Sequence, residues 1–281
     1  MTLRPSRIES ADAVRLWLIR NGEMAMGLMR TSNPALSERQ FRGDGGYPGG
    51  YPMQLGETMT LNGTVNKTGI LLVCAMVTAY WTWEQFLASG NPASVGGWMM
   101  LGLIGGLVMA MVTIFKKEWA GVTAPAYALC EGLVLGGMSA MFELRWPGIA
   151  IEAVSLTFGV LLVLLLAYRS GLIRVTNKMR LGIVAATGAI MLFYLAEMVM
   201  GFFGMHLTAL NGSGPLSIGI SVIIVGVAAM NLVLDFDMIE TGVRMGAPKY
   251  MEWYGAFGLM VTLVWLYMEM LRLLSKLNSR R

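Results

Sequence analysis

The sequence predicts an all-α, polytopic membrane protein with seven transmembrane helices, and three observations carry that prediction. Hydrophobic residues make up 56% of the 281-residue chain and charged residues only 14%, whereas a soluble domain carries about 25% charged residues. The apolar residues fall into repeated runs of about 20, the length a helix needs to cross a bilayer core about 30 Å thick. Charged residues gather mainly between those runs, as they do in membrane proteins whose loops fix orientation.

Taken in order, residues 1–66 read as a disordered cytoplasmic tail, 67–276 as the seven-helix transmembrane domain and 277–281 as a short basic tail. The first segment contains Arg42-Gly-Asp-Gly-Gly-Tyr-Pro-Gly-Gly-Tyr-Pro52, whose glycines and prolines leave little to bury. The apolar stretch Ala11 to Ile19 holds Asp12 and Arg15 and no small-residue cleavage site, so it does not read as a signal peptide. The predicted spans are Gly69–Leu87, Gly97–Phe115, Val122–Met141, Ile149–Tyr168, Leu181–Met205, Leu216–Asp237 and Trp253–Leu274.

Orientation follows from the loops. Lys116 and Lys117 follow the second span; Arg169, Arg174, Lys178 and Arg180 follow the fourth; Arg244 and Lys249 follow the sixth. The loop after the first span carries no charge, and that after the fifth carries only His206. Basic loops face the cytoplasm, which places the amino terminus there. Seven crossings put the carboxyl end outside, against the pull of Arg272, Lys276, Arg280 and Arg281.

Several function classes drop out. The net charge of +4 comes from loop residues, which argues against a nucleic-acid partner. One histidine allows no histidine-based metal site or catalytic triad, and no Gly-rich Lys-Ser/Thr loop offers an ATP site. Cys74 and Cys130 lie within apolar runs without CxxC spacing and read as free, buried thiols. The 25 methionines read as packing filler, and Asn211-Gly212 as a turn in place of a glycosylation site. The chain is expected not to be an enzyme and to need no cofactor; any transport is passive or gradient-driven.

The informative residues are acids inside apolar runs, where charge is costly and marks function. The sixth span ends Asn231-Leu-Val-Leu-Asp-Phe-Asp-Met-Ile-Glu240. At 100° per residue Asp235 and Asp237 point about 200° apart and cannot face one partner, whereas Asp237 and Glu240 share a face. The alternative is that both aspartates merely mark the cytoplasmic end of the span. Glu131 lies near the middle of the third span, and Glu197, Glu269 and Glu252 belong to the fifth, the seventh and its start. No lysine or arginine lies deep in a span to neutralise them, so the interior is predicted to be acidic and suited to cations such as calcium, or to protons. Interhelical hydrogen bonding is the plainer role for Glu197 and Glu269. Gly102 with Gly106, and Gly132 with Gly136, have the spacing that lets helices approach closely.

The stretches Leu234-Asp-Phe-Asp-Met-Ile-Glu240, Gly246-Ala-Pro-Lys-Tyr-Met-Glu-Trp-Tyr254 and Leu263-Val-Trp-Leu-Tyr-Met-Glu-Met-Leu-Arg-Leu-Leu274 resemble the Bax inhibitor family, in its bacterial branch with a long amino-terminal tail. Tyr127-Ala-Leu-Cys-Glu-Gly-Leu-Val-Leu-Gly136 adds to the resemblance, as does Met29-Arg-Thr-Ser-Asn-Pro-Ala-Leu-Ser37, which points to a translation start at Met29. The resemblance implies six helices wrapped around the last one, and a pH-sensitive calcium leak gated by an aspartate on each of helices 6 and 7. Carried over, the helix-6 aspartate is Asp237, also the expected cation ligand, and the helix-7 position falls on Thr262, which is not an acid. Thr262 is then expected to donate to Asp237, with Asp235, Glu131 or Glu252 supplying a second charge.

The expected function is a pH-sensitive passive cation leak, with calcium as the ion. The alternatives are a non-transporting regulator that binds a membrane protease or other membrane complex, and a proton-coupled exchanger.

Overall fold

The structure, a computed structural model, describes residues 57–204, 212 and 214–280. The tail through residue 56, with Met29, and the loop residues His206 and Asn211 lie outside the described residues. Among the described residues seven helices are long and apolar enough to cross a membrane: α1 (Leu61–Ser89), α2 (Ala93–Phe115), α3 (Ala120–Arg145), α4 (Ile149–Arg169), α5 (Asn177–Phe202), α6 (Pro215–Arg244) and α7 (Met251–Asn278). A 3-10 turn, Lys117–Trp119, leads into α3.

Local chemistry sets the helix ends. Thr60 and Thr176 cap α1 and α5, their hydroxyls accepting from Gly63 N and Met179 N, which satisfies amides that have no partner within the helix. Pro215 opens α6, where its missing N–H costs nothing. α1 therefore begins at Leu61, ahead of the tail boundary predicted at residue 67, and its first turns carry the polar Asn62, Asn66 and Lys67. Likewise α6 continues to Arg244, so Asp235 and Asp237 lie inside the helix and not at its last turn.

Two glycine seams bind the first three helices. A methyl group at Gly132 would strike the Ala75 carbonyl and the Thr78 hydroxyl, and one at Gly136 the Ala79 carbonyl, so α3 lies directly against the α1 backbone. A methyl at Gly102 would strike the Cys130 carbonyl, and one at Gly106 would crowd the Glu131 carboxylate, which seats α2 on α3. Lipid tails are as apolar as these side chains, so close packing of small residues holds the helices together here. Cys74 and Cys130 are free thiols.

α7 is the central helix. Of its apolar window 61% is interior, against 44% for α6 and 11% for α5. It packs against α1, α3, α4 and α6, and Phe257 meets Tyr127 of α3 edge to face with ring centres 5.0 Å apart. α2 packs on α3 and α1, and α5 on α6, so the wrapping of α7 is closest on four sides. Successive spans run antiparallel. The start of α1 and the α2–α3, α4–α5 and α6–α7 connections therefore share one end, here the hinge end. The carboxyl terminus, with the α1–α2, α3–α4 and α5–α6 connections, marks the far end.

Candidate functional site: a file of buried polar contacts between α5, α6 and α7

The apolar surroundings of α6 leave its polar side chains only neighbouring helices for partners. Asp235 is completely buried, and Thr262 Oγ1 of α7 donates to its Oδ2 at 2.6 Å. Asp237, two residues on, faces away: Arg180 Nη2 of α5 lies 2.6 Å from Asp237 Oδ2. The Tyr168 hydroxyl of α4 donates to Glu240 Oε2 at 2.5 Å and lies 3.4 Å from Asp237 Oδ1. The angular argument from the sequence thus holds, since the two aspartates serve different partners and Asp237 shares its face with Glu240. The pairing carried over from the resemblance does not: Thr262 meets Asp235, not Asp237, because the 200° offset turns Asp235 toward α7.

Further pairs continue the file. Asn231 Nδ2 donates to the Thr187 hydroxyl of α5 at 2.8 Å. Toward the far end the Tyr194 hydroxyl donates to Glu269 Oε1 at 2.7 Å, and Arg272 Nη1 reaches Tyr194 Oη at 2.5 Å and Glu269 Oε1 at 3.3 Å. Beyond them Lys276 Nζ donates to Ser221 Oγ at 2.7 Å and is only 6% exposed. Glu197 interacts electrostatically with Lys276 as well. The expectation that no base neutralises the acids is therefore corrected. Arg180 and Lys276, just outside the predicted spans, turn their long side chains inward, and Arg272 pairs within its own helix.

The spacing that builds this file is regular. Arg180, Thr187 and Tyr194 stand seven residues apart on α5, and Thr262, Glu269 and Lys276 stand seven apart on α7. Seven residues are close to two helical turns, so each set forms one stripe. Arg180 and Thr187 reach α6 from one stripe, Thr262 and Lys276 reach it from the other, and Tyr194 meets Glu269 directly. By sequence Arg180 falls in a loop and Lys276 just past the last predicted span, and residue type alone does not single out Tyr168, Thr187 or Tyr194. The heptad repeat of polar residues within apolar helices was the signal available.

The remaining acids stand elsewhere. Glu131 lies on the α2–α3 seam, hydrogen-bonded to Tyr127 one turn earlier, and beside Gly106. Glu252, 1% exposed, sits at the hinge end. It accepts from Thr60 N at 2.9 Å and Thr60 Oγ1 at 2.8 Å, and pairs with Lys67 and with Lys249 at 3.4 Å. Glu252 thereby fastens residues 57–60 to the α6–α7 turn. Met59 N also donates to Ala247 O at 2.7 Å, and Lys249 meets Glu57 at 3.5 Å. Hydrogen bonding to Glu252 holds the Lys249 ammonium above the ordinary lysine range. Neither Glu131 nor Glu252 thus supplies a second charge to Asp237; Glu240, joined to it through Tyr168, stands on the same face.

Among the described residues no three His, Cys, Asp or Glu side chains converge to hold a metal ion. Both Asp237 oxygens are engaged, so a cation reaches that carboxylate only when Arg180 leaves it. The arrangement offers carboxylate, hydroxyl and amide oxygens in sequence along three helices, with a fixed cation at each end.

A family model described as Bax inhibitor 1 like matches residues 29–279. No curated protein and no solved structure matches the chain.

Proposed function

The chain belongs to the Bax inhibitor 1 like family, and on that premise we propose that it is a passive, pH-sensitive cation leak, with calcium the conducted ion. In this reading it sits in a bacterial inner membrane with its amino terminus in the cytoplasm, as the basic loops favour. The polar file between α5, α6 and α7 is the observation that carries the proposal. A hard cation crossing hydrocarbon depth needs oxygen ligands to replace its water, and the file offers them on consecutive turns.

In this reading the described conformation is closed. Arg180 occupies Asp237 near the hinge end, and Lys276 occupies the α6–α7 groove at the far end. Opening requires α5 to release Asp237. The charge on Asp237 holds Arg180, so removing that charge loosens the α5–α6 contact and raises the open fraction.

The test is calcium flux into proteoliposomes for Asp237→Asn and Asp237→Ala. Both variants are expected to leak more than wild type at neutral pH and to respond less to acid. Wild-type flux and wild-type pH response in both would remove Asp237 from the gate.

One observation favours a second reading. Residues 57–60 are fastened to the α6–α7 turn, so a partner that grips the amino-terminal segment pulls directly on the central helix. A regulator of a membrane protease would use that connection without conducting ions. Shortening the chain up to residue 56 separates the readings: a leak survives it, whereas partner binding through the tail is lost.

A further inference from the structure

We propose that the crevice between α1 and α4 is a binding site for one acyl chain of a membrane phospholipid. It encloses about 410 Å³. Met76, Tyr80 and Trp83 of α1 form one wall, and Ile151, Val154 and Phe158 of α4 form the other. α3 and α7 make the floor, where Met260 and Leu263 are almost fully buried. Met76, Tyr80 and Ile151 are each more than half exposed, so the crevice opens sideways, toward the bilayer.

Its chemistry selects hydrocarbon. The Ser139 and Tyr267 hydroxyls in the floor bond to each other at 2.6 Å, and the Thr157 hydroxyl bonds to Ala153 O at 2.7 Å. These polar groups are thus engaged by the protein. A gap in a bilayer costs the lining its dispersion partners, and the surrounding medium that can restore them is lipid chain.

Its length matches one leaflet. On α1 the lining runs from Leu72 to Trp83, which at 1.5 Å per residue is about 16 Å along the helix. Half of a hydrocarbon core about 30 Å thick is about 15 Å, so the slot spans one leaflet. An acyl chain that reaches from the headgroup level to the bilayer midplane matches that length. The slot begins at the far end, where Trp83 stands near the close of α1 and Ile151 near the opening of α4. Trp146 and the exposed Arg145, whose guanidinium lies 5.1 Å from the Trp146 ring centre, mark the headgroup level there. A phospholipid entering with its phosphate at that level lays one chain down the slot.

The experiment uses the full chain in nanodiscs of phosphatidylethanolamine and phosphatidylglycerol, doped with a phospholipid carrying a diazirine midway along one acyl chain. After irradiation, labelled residues are mapped by mass spectrometry. Labelling of Met76, Tyr80, Ile151 and Phe158 is expected several-fold above that of Leu103 on α2 or Leu192 on α5. Ala79→Phe, which fills the slot, should remove that excess while leaving Leu103 and Leu192 unchanged. Val154→Trp fills it from the other wall and serves should the first variant fail to fold. Uniform labelling of all bilayer-facing helices, or an excess that survives the filling of the slot, would overturn the site. So would cross-links that join two copies of the chain through Met76 or Ile151.

Discussion

Thr262 and Asp235 meet at 2.6 Å where the central helix crosses α6, and neither is open to solvent. A buried carboxylate needs its donor, because the alternative is the full cost of desolvation. Thr262→Val keeps the shape of the side chain and removes the donor. It is expected to lower stability by about 1–3 kcal/mol, read from thermal unfolding in detergent. Asp235→Asn, which accepts the same hydrogen bond without the charge, should lose less.

Thr262→Asp sets two carboxylates at that contact, where like charges a few ångströms apart cannot both ionise readily. The variant is expected to give a leak that depends more steeply on pH than wild type, measured as calcium flux in proteoliposomes. An unchanged pH profile would mean that this contact does not sense protons.

Arg180 binds α5 to α6 through Asp237, with side chains 8% and 16% exposed. Breaking a buried pair from one side leaves the other charge unmatched and costs about 3–5 kcal/mol. Arg180→Gln should therefore destabilise the protein and raise its leak. The double variant Arg180→Gln with Asp237→Asn should recover much of the stability, which a double-mutant cycle measures.

Lys276 fills the groove between α6 and α7 at the far end, its ammonium on Ser221. If its charge bars cations, Lys276→Met raises the leak and Lys276→Arg does not. Equal flux in both would assign Lys276 a packing role alone.

At the hinge end, the Glu252 carboxylate accepts from Lys249 and keeps that ammonium protonated above the ordinary lysine value of 10.5. A base whose pKa is raised on folding contributes fully below its unfolded value and loses that contribution as pH rises through the folded one. Attachment of residues 57–60 is thus expected to be independent of pH through the neutral range and to loosen in strong alkali. Hydrogen exchange at the Met59 amide, bonded to Ala247 O, reports it. Glu252→Gln should speed that exchange at every pH.

Much of this was legible in the sequence. The spans followed from apolar run length, and the two seams from Gly102, Gly106, Gly132 and Gly136, because close approach needs a residue without a Cβ. The opposed directions of Asp235 and Asp237 followed from helix geometry alone. The partners did not. Arg180 sits beside a predicted span, where charge density alone classed it with the loop; whether a long side chain turns inward depends on what the neighbouring helix presents. Thr60 and Glu252 are 192 residues apart, and no periodicity links them. Thr262 was read against the wrong aspartate because the resemblance supplied a correspondence in sequence, whereas the contact is decided by the turn of α6.

The central claim is that the α5–α6–α7 file conducts when Arg180 releases Asp237. Calcium flux into indicator-loaded proteoliposomes, followed from neutral to acidic pH, tests it. The comparison is between wild type and Arg180→Gln. Wild type is expected to leak more as acidity rises, and Arg180→Gln to leak strongly already at neutral pH with little further response. No flux from either, in protein shown to be folded, would contradict conduction and leave the regulator reading in its place.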